Sequence, residues 1–181
     1  AQAGVSTTVG GVSDYYFRGM HLGDAAAYVS LDFEAAGFYA GVWAIDDGSD
    51  NGGNNGLETD FYVGYGWEND VISLGIGYTL YEYTYSRDLE HELNLSFGVA
   101  GFGLDVALGT ADDEGTAGGD QADYQVYELS YSTEVWGVKL GQAMTDDSNY
   151  YSTATGARAD GVPGTGESEY KWAEFSASKE V

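Results

Sequence analysis

Apolar and polar residues alternate with a period of two along almost the whole chain, and helical periodicity is nearly absent. In Leu57-Glu58-Thr59-Asp60-Phe61-Tyr62-Val63-Gly64-Tyr65-Gly66-Trp67, one face carries Leu57, Phe61, Val63, Tyr65 and Trp67. The other carries Glu58, Asp60, Tyr62, Gly64 and Gly66. Ile72, Leu74, Ile76, Tyr78 and Leu80 alternate in the same way with Ser, Gly and Thr. Leu89, Leu93, Leu95, Phe97 and Val99 alternate with Glu90, Glu92, Asn94, Ser96 and Gly98. Side chains of a strand point to opposite faces in turn, so each segment has one apolar and one polar-or-small face.

The pattern predicts ten strands, near residues 4–18, 25–36, 38–46, 56–67, 71–84, 88–99, 102–110, 123–133, 136–144 and 168–179. The first breaks parity around Gly10 and Gly11, which a bulge would explain. Short turns fall at Ala36-Gly37, Glu68-Asn69-Asp70, Ala100-Gly101 and Glu134-Val135. Longer polar loops fall at 19–24, 46–56, 85–88, 110–122 and 145–167. Short and long connections alternate, as they do between the two ends of an up-and-down antiparallel transmembrane β-barrel. Phe38, Trp67, Phe102 and Trp136 adjoin the short turns, while Tyr15, Tyr16, Phe17, Tyr81, Tyr83 and Tyr85 lie at the other strand ends. Two such bands suit two membrane–water interfaces.

Alternation alone does not say which face points outward. A lipocalin-like soluble barrel would turn the apolar face inward, around a ligand. The second face here is Gly, Ser, Tyr, Asp and Glu rather than mixed Lys and Glu, which suits a lumen better than a solvent surface. Acidic residues recur in strands descending from the long loops, at Glu58, Glu92, Glu128 and Glu174, with a spacing of one hairpin plus one loop. Ser178-Lys179-Glu180-Val181 repeats Ser132-Thr133-Glu134-Val135, which precedes a turn and another strand. That predicts a further hairpin, and so twelve strands in the complete protein against the ten visible. Residues 1–181 read as one outer-membrane β-barrel domain.

Composition narrows the function. Apolar residues at 43% and aromatics at 15% exclude a solvated disordered chain. The absence of Cys excludes disulfides and thiolate metal sites. Six Lys+Arg against 30 Asp+Glu, a net charge of −24, disfavour nucleic acid as a partner. Ala1-Gln2-Ala3-Gly4 looks like a terminus left by signal cleavage and predicts export through the periplasm to the outer membrane. The expected partners are outer-membrane lipid and lipopolysaccharide, with small cationic or neutral solutes.

The first third of the chain also resembles a known family. Ser13-Asp14-Tyr15-Tyr16-Phe17-Arg18-Gly19 followed by Asp24, then Gly37-Phe38-Tyr39-Ala40-Gly41-Val42-Trp43-Ala44, then Leu57 to Tyr65, resemble the TorF family of porin-like Gram-negative proteins. The match is most specific over 4–67 and looser to 144. The resemblance implies an outer-membrane barrel with a pore and brings no catalytic residues.

Asp32, Glu34, Glu58, Asp60, Glu90, Glu92, Asp105, Glu128 and Glu174 are the expected lumen acids, with Lys139 and Arg18 as counter-charges. Acidic rings make a pore prefer cations. The alternative is a closed barrel whose acids bond to Tyr and Ser, serving a structural or partner-binding role. Asp47-x-Ser49-x-Asn51-Gly52-Gly53-x-Asn55-x-x-Glu58 has the ligand spacing of a calcium loop, so Asp47, Ser49, Asn51, Gly53 and Glu58 are candidate Ca2+ ligands. Its flanks read as strands, and Asp/Asn/Gly loops also serve as plain turns. A second acidic loop runs from Asp112-Asp113-Glu114 to Asp120 and Asp123. His21 and His91 have no nucleophile near them in the pattern, even with Asp88 beside His91, so a non-enzymatic role is expected. Lys171 and Lys179 flank the last strand as interface anchors.

Overall fold

The computed structural model describes residues 3–50, 55–84, 89–112, 121–145 and 169–178, without the side chains of 47–50, 55, 112, 121 and 122. Every element among them is a strand: β1 (Gly4–Val12), β2 (Tyr15–Phe17), β3 (Met20–Gly23), β4 (Ala26–Ala35), β5 (Phe38–Asp50) and β6 (Asn55–Glu68). Then follow β7 (Ile72–Tyr83), β8 (Leu89–Val99), β9 (Phe102–Asp112), β10 (Gln121–Ser132), β11 (Trp136–Thr145) and β12 (Glu169–Ala177). Ten of them form one antiparallel meander, β1-β4-β5-β6-β7-β8-β9-β10-β11-β12, with β1 and β12 at its edges. The observed pairing thus gives a ten-stranded sheet, and its edges are not joined.

The tight connections follow from local chemistry. Ala36-Gly37 and Ala100-Gly101 both have positive φ at each residue, 53° and 87° in one and 51° and 84° in the other. That is the twist of a two-residue hairpin turn, which Gly accepts without cost. At the next turn, Asn69 Oδ1 accepts from the amides of Val71 and Ile72 at 2.8 and 2.9 Å. Thr133 Oγ1 does the same for Trp136 at 3.2 Å. Asx- and ST-type bonds of this kind replace ladder bonds where the chain reverses.

The start of the chain departs from the sequence expectation. β1 pairs with β4 in unbroken register from Gly4↔Glu34 to Val12↔Ala26, so there is no bulge at Gly10-Gly11. Parity holds because Gly10 faces Tyr28 on the inner side, where a side chain would collide with the Tyr28 ring. The strand ends at Val12 rather than at residue 18. Residues 15–23 form a separate hairpin, β2–β3, turning at Arg18-Gly19 with φ of 49° and 78°.

The two faces of the sheet differ sharply. Leu31, Phe33, Phe61, Val63, Leu74, Ile76, Leu93, Leu95, Leu104, Leu129 and Leu140 all lie on one face, and all are exposed. The opposite face holds the buried residues Ile45, Glu58, Glu92, Tyr81, Tyr124, Val126 and Ala143. The β2–β3 hairpin touches this second face on β5, β6, β7, β8 and β12, so the sheet curls around it. The inside of the curl is therefore mixed polar and aromatic, and the outside is apolar.

Of the two expected aromatic bands, the one at the short turns is present. Phe38 packs at a tilt against Tyr65 with ring centroids 4.8 Å apart, and Phe102 and Trp136 both approach Tyr131, at 4.7 and 5.7 Å. The other is not formed by its described members, Tyr85 lying outside the described residues and Tyr16 being exposed on the hairpin. Tyr81 and Tyr83 fall on the inner parity, Tyr81 is buried there, and Tyr15 sits buried on the hairpin.

Candidate functional site: the concave face and its hairpin

Two cross-strand rows of the same composition build the inner face. In one, Asp32 on β4 is opposite Gly41 on β5, and Gly41 is opposite Tyr62 on β6. In the other, Glu92 on β8 is opposite Gly109 on β9, and Gly109 is opposite Tyr124 on β10. Each Tyr lies flat across the intervening Gly, where a Cβ would run into its ring. Its hydroxyl then reaches the acid two strands away: Tyr62 donates to Asp32, and Tyr124 to Glu92 at 3.0 Å. Glu128, Gly141 and Trp172 form a third row of this geometry across β10, β11 and β12. There the indole cannot reach the acid as a phenol does, and its Nε1 is buried without a partner among the described residues.

The hairpin is fixed onto this lining. Arg18, at its tip, makes a two-toothed pair with Glu92, Nη1–Oε2 at 2.6 Å and Nη2–Oε1 at 2.8 Å. Tyr81 donates to the same carboxylate at 3.0 Å, so Glu92 joins the tip of the hairpin to β7 and β10. Tyr15 donates to buried Glu58 at 3.0 Å and packs beside Trp43, while Phe17 packs beside Tyr81. Gly19 lies against Trp172 of β12, with no room for a side chain. Burial works against the Arg18 cation, but the Glu92 hydrogen bond and charge outweigh it and hold the guanidinium above its ordinary pKa. Burial, then the charge and hydrogen bond of Glu58, push the Tyr15 phenol up.

The expected lumen acids share this face, and they divide into groups. Glu58, Glu92 and Asp32 are taken up by phenols, Ser30 and Arg18. Asp60 and Glu90 lie beside Tyr81 in the register, and Asp60 Oδ1 is buried without a hydrogen-bond partner among the described residues. Glu128 pairs with Lys139 at 3.2 Å, and Asp105 is the direct cross-strand neighbour of Glu128. Glu34 and Glu174 sit exposed toward the short turns. Tyr62 was expected on this face; Tyr39, Tyr81, Tyr124 and Trp172 join it without having been named among the expected lining, although their parity matches that of the acids, and Tyr15 reaches it from the hairpin. The signal for the hairpin was Arg18-Gly19, the same residue-plus-Gly dipeptide that marks the other two-residue turns.

The calcium-loop residues Asp47, Ser49, Asn51 and Gly53 lie outside the residues whose side chains are described. Glu58, its proposed twelfth position, faces the interior and accepts from Tyr15. The acidic loop 113–120 and Asp88 also lie outside the described residues. Asp123 accepts from Thr110 Oγ1 at 2.8 Å, and His91 shares a 2.6 Å hydrogen bond with Tyr78 on the outer face. Lys171 pairs with Glu169 on an exposed edge, and Lys179 lies outside the described residues. One set among the described residues could gather around a metal ion. Asp14, His21 and Asp24, at the open end of the hairpin, bring their ligand atoms within 4.8 Å of one another, all exposed.

No curated protein and no solved structure matches this sequence. A family model described as a bacterial protein of unknown function (Gcw_chp) matches residues 1–140. That span includes the hairpin, both acid–Gly–Tyr rows and the Arg18–Glu92 pair, and the chain belongs to the Gcw_chp family.

Proposed function

We propose that the protein is a β-barrel of the Gram-negative outer membrane whose polar interior is stoppered from the long-loop end by the β2–β3 hairpin. In this reading the sheet belongs to a closed barrel, and cations pass only when the hairpin moves aside. The observation that carries it is the inversion of the faces: bulky apolar side chains line the outside of the curl, and the inside carries acids and phenols around buried Ile45 and a small apolar patch at Ala107, Val126 and Ala143. Water would not favour that arrangement, whereas lipid does. The sorting of short and long connections to opposite ends and the TorF resemblance support the same reading. A lipocalin-like binder would need the apolar face inside. No catalytic role is part of the proposal.

Passage is gated rather than free because the acids nearest the hairpin are already bonded. Glu92 alone takes Arg18, Tyr81 and Tyr124. The same observation favours the second reading, a permanently closed barrel with a structural or partner-binding role. Planar-bilayer recording separates the two. The intact chain is expected to be almost silent, and replacement of residues 14–24 by a short Gly-Ser linker gives steady conductance with a cation-selective reversal potential under a KCl gradient. Silence of both proteins supports the closed barrel, and anion selectivity contradicts the acidic pathway.

A further inference from the structure

The concave face contains a chamber that the stopper does not fill. Its volume is about 390 Å³, and it lies between Arg18 at the hairpin tip and the short-turn end of the sheet. An open depression along the short turns shares Ser96 and Asp105 with it. Arg18 bounds the chamber on the hairpin side, and the shared residues connect it to the short turns.

We propose that this chamber binds a small organic monocation that also carries hydroxyl or amide groups. Charge is the first argument. Arg18 enters the wall with both of its terminal nitrogens already on Glu92. Lys139 is matched by Glu128 at 3.2 Å. Asp105 is the remaining charge of the lining, and it has no ion-pair partner among the described residues. It stands directly across from Glu128, so two carboxylates share one ammonium. One further cation placed at Asp105 would balance the wall, in a recess where low-dielectric surroundings strengthen the attraction. Asn94 and Ser96, on the next strand, supply neutral donors and acceptors beside it. Size is the second argument. At about 30 Å³ per liquid water, the space equals roughly a dozen waters, enough for a solute of hexose size.

The inference rests on the reading of the concave face as a water-filled interior, and not on conductance. Three probes on one skeleton test it with the full chain in detergent: glucosamine hydrochloride, glucose and glucuronate, by equilibrium dialysis at neutral pH. Glucosamine should bind at least tenfold tighter than glucose, and glucuronate weakest. Asp105→Asn, nearly isosteric, should bring glucosamine down to the level of glucose, while Glu134→Gln in the exposed turn before β11 changes nothing. Near-UV circular dichroism checks that each variant keeps its packing. Glucuronate binding as tight as glucosamine, a glucosamine preference that survives Asp105→Asn, or binding of none of the three overturns the proposal. Loss of binding beside hairpin-dependent conductance removes the chamber site alone, and binding without conductance removes the gate alone.

Discussion

At the scale of single residues, the glycines of this chain explain what its acids do. Gly41 and Gly109 leave a bare stretch of wall across which a Tyr ring lies to meet a carboxylate two strands away. Gly109→Val would place a side chain inside the Tyr124 ring, and overpacking of this kind costs about 1–3 kcal/mol. Urea melts of the refolded protein in liposomes should show that loss. Gly66→Ala, whose new methyl would meet nothing nearer than a carbonyl at 4.0 Å, should leave the midpoint unchanged. The Arg18–Glu92 pair makes a second test. The Glu92 side chain has no exposed surface and that of Arg18 only 13%. Removing one partner of a buried pair costs about 3–5 kcal/mol, whereas replacing both is far milder. Arg18→Met should therefore lower stability strongly, and the Arg18→Met, Glu92→Leu double variant should recover part of it. The acidic parity was legible in the sequence, because period-two alternation is a local signal. Which phenol meets which acid was not, because each Tyr sits two strands away from its acid and a single chain shows only its own neighbours along the strand.

At the scale of elements, the wall strands and the hairpin teach different lessons. The nine wall strands after β1 lie within a few residues of their sequence-based positions, since turn chemistry at Ala36-Gly37, Asn69 and Ala100-Gly101 punctuates the alternation. The hairpin was read as the end of the first strand plus a loop. After Ser13-Asp14 the segment Tyr15-Tyr16-Phe17 reads as strand like the wall strands, and the Arg18-Gly19 turn marks a hairpin without saying on which side of the sheet it lies. What commits it inward is tertiary: the Glu58, Glu92 and Trp172 contacts. The turns themselves can be improved. Ala100 holds a φ of 51°, a conformation that costs an L-residue with a Cβ about 1–2 kcal/mol and that Asn tolerates better. Ala100→Asn should stabilise the protein by several tenths of a kcal/mol, read in the same melts. The hairpin should also respond to alkali. Its Tyr15 phenol is held above the ordinary Tyr pKa of about 10, so the folded state keeps that proton longer than the unfolded one. Its contribution to stability is complete below that pH and declines as pH rises through the higher folded value. Alkaline titration should weaken hairpin docking, seen as protease cleavage within residues 13–25, and Tyr15→Phe should flatten the Tyr15 share of that dependence.

At the scale of the whole molecule, the net charge of −24 has a spatial meaning. Part of it lies on the inside of the curl, where Asp32, Glu58, Glu92 and Glu128 are hydrogen-bonded or paired, and Asp105 leaves the chamber short of one cation. The all-β antiparallel meander was legible because one strand rule repeats along the chain. The hairpin on the concave face was not, because it obeys the same alternation as the sheet that curls around it. The central claim is that the apolar face meets lipid and the polar face encloses the hairpin. The chain has no Cys, so single cysteines can be placed along β8 at Leu93, Asn94, Leu95, Ser96 and Phe97 without a background. Spin labels on these sites in liposome-reconstituted protein report collision with oxygen dissolved in lipid and with a water-soluble nickel chelate. The account predicts period-two alternation, with 93, 95 and 97 most accessible to oxygen and 94 and 96 shielded from it. Alternation of the opposite phase, or water access at all of 93, 95 and 97, would contradict it.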